Sequence, residues 1–257
     1  MLKHLRPEAE SPRRPEPVAI LCGGRGTRLQ EKTNAIPKPL VEIGGRPIVW
    51  HVIRIYAAQG FRRFLLLTGY KGELIERFAT AEPWPEGVSV ECVDTGLPTP
   101  TGGRLAVAAA AGRLGEETIA LTYADGVADV DLGAALDFHR GHGAAATLTL
   151  VRPDTPWGVA MLEGKDRVSG FVEKPRMEQW INGGFFFFEP AALAYVKEDS
   201  VLEREPLERL ASDGELRGFR HEGFWDCMDT YKDAVLLNDL WEGGRAPWQI
   251  WERAGAQ

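Results

Sequence analysis

The chain has 257 residues, 44% hydrophobic and 26% charged, with a formal net charge of −7. That length supports one sizeable core, and the acidic balance argues against broad nucleic-acid or anionic-membrane binding, which need a basic face. A phosphate-bearing partner must therefore meet locally concentrated positive charge or a divalent metal. Cys22, Cys92 and Cys227 are an odd set without C-x-x-C spacing, which suits a reducing, cytoplasmic setting and neither a disulfide framework nor a zinc site. No apolar run approaches the ~20 residues of a membrane span. Residues 1–16, rich in Pro, Glu and Arg and lacking the apolar stretch of a secretory signal, are expected to form a mobile tail. Residues 17–252 are expected to form a single domain.

Pro17–Cys22 is a short apolar run ending in Gly23-Gly24, a buried strand feeding a glycine-rich turn. Arg46–Gln59 has a helical rhythm stopped by Gly60. Strands follow at Phe64–Tyr70, Val88–Val93 and Thr118–Asp125, with helices at Glu73–Thr80, Gly103–Leu114 and Leu132–His142. This alternation predicts an α/β, Rossmann-like, mostly parallel sheet flanked by helices. Ligands in such sheets lie beyond the carboxyl ends of the strands, which puts the Gly23 loop and Asp125 on one rim. From Ala144 the pattern changes. TLTLV, GVAML, RVSGFV and INGGFFFF read as short strands of a smaller β-rich subregion, and helices return at Glu203–Ser212 and Thr230–Trp241.

The glycines of GGRGTRL, Gly23–Leu29, let backbone N–H groups approach a phosphate. The loop lacks the G-K-[ST] of a Walker A motif and the last glycine of a dinucleotide fingerprint, which disfavours a dehydrogenase. Arg28 stands where a guanidinium can grip phosphate oxygens. Lys38 lies between Pro37 and Pro39, which stiffen the backbone that aims it. Asp125 ends an apolar strand, where a carboxylate can hold Mg²⁺ beside phosphate. Asp129 and Asp131 read as solvent-facing or helix-capping, although D-V-D also matches the metal motif of a glycosyltransferase. Glu173 and Lys174 form either a surface pair or a sugar-phosphate contact. Asn182 and Gly183 offer hydrogen bonding and space for a flat ligand, and the phenylalanines after them read as core. Asp229 reads as a helix cap unless the fold carries it to Asp125. His51 and His142 read as structural. A non-catalytic nucleotide sensor is a further rival reading.

GGRGTRL followed by PKPLVEIGGRPIVWH resembles the sugar-1-phosphate nucleotidyltransferases, and the likeness runs through GYKGELI, TGGRL, TYADGVADVDL, FVEKP, INGGFFFFEP and GFWDCMDTYKD. It covers essentially residues 17–252. TGGRL, DGVAD, INGGFF and the late FW–MDT elements resemble the glucose-1-phosphate cytidylyltransferase branch in particular. The resemblance implies the nucleotide-diphospho-sugar transferase fold and transfer from a nucleoside triphosphate, with CTP favoured, to a sugar 1-phosphate, with glucose 1-phosphate favoured. It implies Mg²⁺ on Asp125 and Asp229, and catalytic cations at Arg28, Lys38 and Lys174. Nucleotide contacts are implied at Leu21, Cys22, Gly23, Gly24, Gly26, Thr27, Arg28, Thr99, Gly103, Arg104 and Ala124. Sugar-phosphate contacts are implied at Gly158, Glu173, Lys174, Asn182 and Gly183, and a homo-oligomer is implied as the assembly. Ala124 stands where the family has glycine, Trp157-Gly158 replaces Arg-Phe-Gly, and Phe78–Val93 is shorter than the family's arm-like insertion.

Overall fold

Residues 17–26 and 35–253 are described by a computed structural model of the chain. The expected tail, 1–16, and the expected phosphate-loop residues Thr27 and Arg28 lie outside the described residues. Strand β1 (Val18–Leu21) is buried throughout. A single 3₁₀ turn, Lys38–Leu40, precedes the small hairpin of β2 (Glu42–Ile43) and β3 (Arg46–Pro47). Helix α1 (Ile48–Ala58) starts where Pro47 leaves extended backbone and buries Ile48, Val49, Val52, Ile53 and Tyr56. After it come β4 (Arg63–Thr68), α2 (Gly72–Ala81), β5 (Ser89–Asp94), α3 (Thr101–Ala110) and β6 (Ile119–Tyr123). Then β7 (Gly126–Ala128) leads to α4 (Leu132–His142), whose N-terminus is capped by the Asp131 carboxylate accepting from the Ala134 N–H and whose end is set by Gly143 at φ 67°.

The second half contains β8 (Ala146–Val151), β9 (Val159–Glu163), β10 (Arg167–Val172), β11 (Ile181–Asn182) and β12 (Phe186–Phe188). It ends with α5 (Glu205–Ser212), β13 (Leu216–Arg220), β14 (Trp225–Cys227), α6 (Tyr231–Glu242) and α7 (Ile250–Arg253). The central sheet runs β13–β8–β12–β6–β1–β4–β5, with β11 sharing an edge of β8 with β12. Strands β5, β4, β1 and β6 are mutually parallel, and β12 runs antiparallel to both β6 and β8. INGGFFFF, expected as one strand, is two. Gly184 at φ 78° and Phe185 at φ 48° turn the backbone left-handed between β11 and β12, a conformation that costs a bulky residue energy and persists only where packing enforces it. Phe185–Phe188 are all buried, as core.

Alternation along β1 divides the interior. Val18 and Ile20 enter a layer with α1, α4 and α6, while Ala19 and Leu21 enter a layer with α3 and α5. Both faces of the sheet are thus covered, and ligands can approach it only at its edges or strand ends. Among the described residues the β9–β10 hairpin pairs only with itself, and its residues are almost entirely exposed. No helix among the described residues is long and apolar enough to cross a membrane.

Candidate active site

Strand β1 is flanked by β4 on one side and β6 on the other, so successive connections leave it in opposite directions. A cleft opens at such a switch point, beyond the carboxyl ends of the strands. Here its volume is about 500 Å³. Leu21, Cys22, Gly23, Gly24, Gly26, Lys38, Thr99, Arg104, Ala124, Asp125 and Asp229 all line it.

Asp125 and Asp229 meet although 104 positions separate them. The cause is a two-stranded ribbon: Cys227 of β14 pairs with Gly126 of β7, and the Met228 N–H donates to the Asp125 carbonyl at 2.9 Å. Asp229 therefore emerges beside Asp125 at the end of β6. It does not cap α6; Thr230 does that, in a reciprocal capping box with Asp233. Lys38 completes the group. Its Nζ donates to Asp125 Oδ2 at 2.5 Å and to Asp229 Oδ1 at 2.7 Å. Pro37 holds extended backbone ahead of the 3₁₀ turn and the ring of Pro39 is buried, so the lysine is aimed by a stiff segment. Burial alone would favour a neutral amine, but the Asp125 charge and the hydrogen bonds to both carboxylates outweigh it, and the Lys38 pKa is raised. The amine stays charged.

Arg104 lines the cleft yet spends its donors on protein. It is buried, and its guanidinium donates to Thr68 O at 2.8 Å, Thr95 Oγ1 at 2.6 Å, Gly96 O at 3.1 Å and Gly23 O at 2.9 Å. It ties the carboxyl ends of β1, β4 and β5 together. A Cβ at Gly23 would sit 1.9 Å from its Cζ, which explains the glycine by close packing. Among the described residues, Gly24 has nothing within 4 Å of such a Cβ, and on that side its backbone is open to a ligand. Gly103 does not line the cleft; a Cβ there would meet Glu198 O at 2.0 Å, so it lets α3 approach that segment.

A second cavity, about 460 Å³, adjoins the first and contains Asn182, Gly183, Trp225 and Cys227. The two share Tyr123, Asp125, Glu203 and Asp229 as walls. Gly158, Glu173 and Lys174 line neither. They lie at the foot of the β9–β10 hairpin, where Glu173 and Lys174 are exposed and a Cβ on Gly158 would approach Glu173 Oε2 to 2.8 Å. Burial, foremost, pushes the Cys22 and Cys227 thiols well up, so neither is a ready thiolate. Asp131 caps α4 and Asp129 Oδ1 accepts from the Phe224 N–H at 2.8 Å; the D-V-D carboxylates thus serve two local structural tasks. Sequence reasoning passed over Tyr123 and Glu203. Tyr123 sits in TYAD at the end of β6, two residues before Asp125, and that position was the available signal.

Among the described residues, no three or more His, Cys, Asp or Glu side chains gather into a metal cage. Two convergent carboxylates nevertheless suit Mg²⁺, which is commonly held by one or two carboxylates with substrate phosphates and waters. The hard-oxygen pair at Asp125 and Asp229 fits that ion.

Residues 18–225 match the nucleotidyl transferase family. The glucose-1-phosphate cytidylyltransferase of Salmonella typhi is 42% identical, over 91% of this chain and 99% of its own length. The probable glucose-1-phosphate cytidylyltransferase of Bacillus subtilis is 40% identical over the same shares. A solved structure described as UDP-glucose pyrophosphorylase from Acinetobacter baumanii superposes with a TM-score of 0.68 at 17% identity, covering 92% of this chain and 96% of that one, a likeness of fold. The strand order, the cleft at its switch point and these matches agree: the chain belongs to the nucleotidyl transferase family.

Proposed function

We propose that the protein transfers the cytidylyl group of CTP to glucose 1-phosphate, releasing pyrophosphate and CDP-glucose. The observation that carries this reading is the Lys38 ammonium held between Asp125 and Asp229 where two cavities meet. A triphosphate and a sugar phosphate repel each other, so a site that joins them must supply cations, fixed N–H donors and a place for a metal at one point. The choice of CTP and glucose 1-phosphate is supported by the two cytidylyltransferases that match along nearly their whole length.

In the proposed reaction an oxygen of the sugar phosphate attacks the α-phosphorus of CTP, forming the new P–O bond as the bond to pyrophosphate breaks. No covalent enzyme intermediate is needed. The open backbone at Gly24 receives the triphosphate, and Leu21, Cys22 and Thr99 frame the nucleotide. Lys38 neutralises charge at the reacting phosphates. Asp125 and Asp229 would hold Mg²⁺, whose contribution is to screen phosphate oxygens. Arg28 is the proposed partner of the departing pyrophosphate. Asn182 and Gly183 frame the sugar, and Lys174 takes the sugar phosphate, which requires the hairpin foot to approach the second cavity.

The test is a pyrophosphate-release matrix of CTP, UTP, dTTP, ATP and GTP against several sugar 1-phosphates, with and without Mg²⁺. CTP with glucose 1-phosphate and Mg²⁺ is expected to lead. Silence in every combination overturns the enzyme reading, and a UTP or dTTP preference overturns the cytidylyl choice alone.

A further inference from the structure

Glu203 stands two residues before α5 and belongs to the walls of both cavities. Its Oε1 accepts from the Tyr123 hydroxyl at 2.7 Å, and its Oε2 accepts from Thr101 Oγ1, also at 2.7 Å. Tyr123 in turn accepts from Asn182 Nδ2 at 3.1 Å, and Asn182 Oδ1 accepts from the Gly184 N–H at 2.9 Å. On the other side Thr101 Oγ1 accepts from the Leu202 N–H at 2.9 Å. A continuous chain of hydrogen bonds therefore runs from the first turn of α3, beside the nucleotide cleft, through Glu203 to Asn182 in the second cavity.

The polarity of this chain restricts what it can bind. Tyr123 has one hydroxyl proton and gives it to Glu203. An ionised carboxylate has about four acceptor sites and no donor. Among the described residues two are taken, by Tyr123 and Thr101, and the residue is exposed to the cavities. The remaining lone pairs can be satisfied by water or by ligand O–H groups, and they repel a phosphate. At the junction of a nucleotide cleft and a sugar cavity, the group that suits them is a pyranose hydroxyl.

We infer that Glu203 is a specificity-determining residue that accepts a hydrogen bond from a ring hydroxyl of the sugar 1-phosphate, and that through Tyr123 and Thr101 it fixes the sugar cavity relative to the nucleotide cleft. The inference rests on the proposed nucleotidyl transfer and deepens it. A sugar lacking that hydroxyl leaves a carboxylate lone pair facing the site without its partner, a penalty that disappears once the carboxylate itself is gone.

The experiment compares wild type, Glu203→Gln and Glu203→Ala with glucose 1-phosphate and its 2-, 3-, 4- and 6-deoxy analogues, measuring pyrophosphate release, with binding of each sugar phosphate followed by calorimetry. Wild type is expected to lose roughly 10–100-fold in kcat/KM on one deoxy analogue, the size of a hydrogen bond to a charged group. In Glu203→Ala that analogue and glucose 1-phosphate should become equivalent. Glu203→Gln, which keeps the side-chain volume if the alanine variant does not fold, should raise KM for glucose 1-phosphate about tenfold and leave KM for CTP within about twofold. Equal deoxy penalties in wild type and variants, or equal losses toward both substrates, overturn the inference and make Glu203 structural. A wild type that turns over with no deoxy penalty sinks the Glu203 assignment alone. A wild type that releases no pyrophosphate sinks the transferase reading, and the same deoxy series read by calorimetry still decides Glu203.

Discussion

The strand-end rim and the β9–β10 hairpin are built in opposite ways. At the rim, Lys38, Asp125 and Asp229 come from three distant parts of the chain, and each is held by something else: a proline-stiffened turn, a sheet strand and a paired ribbon. Among the described residues the hairpin pairs only with itself, and it exposes Leu162, Val168 and Phe171 to more than half of their surface. An isolated two-stranded hairpin is marginally stable at best. Electrostatic catalysis depends on groups that do not reorganise as charge develops, so the rim is the place for phosphate chemistry. Glu173 and Lys174, carried by the weaker element, are suited to adjustable contacts.

Replacing Asp125 by Asn breaks the rim most severely. Turnover should fall about 100–1,000-fold, as when one preorganised electrostatic partner is lost, while far-UV circular dichroism stays unchanged. Near-normal activity would remove Asp125 from the phosphate site. Arg104→Met asks whether the rim is held from below. It removes four hydrogen bonds to buried or part-buried acceptors, of which Thr68 O and Gly23 O keep another donor, and chemical denaturation should show a loss of about 3 kcal/mol. A stability change below about 1 kcal/mol, with a large rise in KM for CTP, would instead make Arg104 a nucleotide contact.

The support under Lys38 carries its own pH dependence. His51 on α1 is fully buried and its Nε2 donates to the Ile43 carbonyl at 2.9 Å, pinning β2 just beyond the Lys38 turn. Burial, the largest cause, lowers its pKa from 6.5 to about 4. Between those values the unfolded chain binds a proton that the folded protein does not, so stability falls as pH drops through the window. From pH 7.5 to 5 this group should cost about 2 kcal/mol, and urea denaturation of His51→Gln should show a shallower pH slope than wild type. An identical slope would mean that His51 takes up its proton in the fold at the same pH as in the unfolded chain.

The hairpin should give smaller effects. Lys174→Ala is expected to raise KM for glucose 1-phosphate about tenfold with CTP affinity unchanged, the loss of roughly one ionic contact. No change in either constant would leave the sugar phosphate to Lys38 alone. Leu162→Ser should alter stability by less than about 0.5 kcal/mol, as for an exposed position. A loss above 2 kcal/mol would show that the hairpin is covered in solution.

Periodicity sufficed for most of the architecture. Leu132–His142 has the expected bounds, and the other long helices and parallel strands start or end within a few residues of expectation, because their apolar stripes and glycine stops are local signals. The short elements were less legible. β7 and β14 have three residues each, too few for a period, and they exist because they pair with each other. INGGFFFF looked continuous because nothing in its composition marks Phe185 for a left-handed backbone.

The same division holds for function. Sequence alone determined the glycine-rich turn, the strand-end aspartate and the proline-flanked lysine, since each depends on residues within a few positions of one another. Only the tertiary structure decided that Lys38 bridges Asp125 and Asp229, that Arg104 faces backbone carbonyls, and that Glu203 joins two cavities. Those arrangements depend on strand register and side-chain direction between segments dozens to nearly two hundred residues apart. No local pattern encodes a contact whose two halves are brought together by the packing of everything between them.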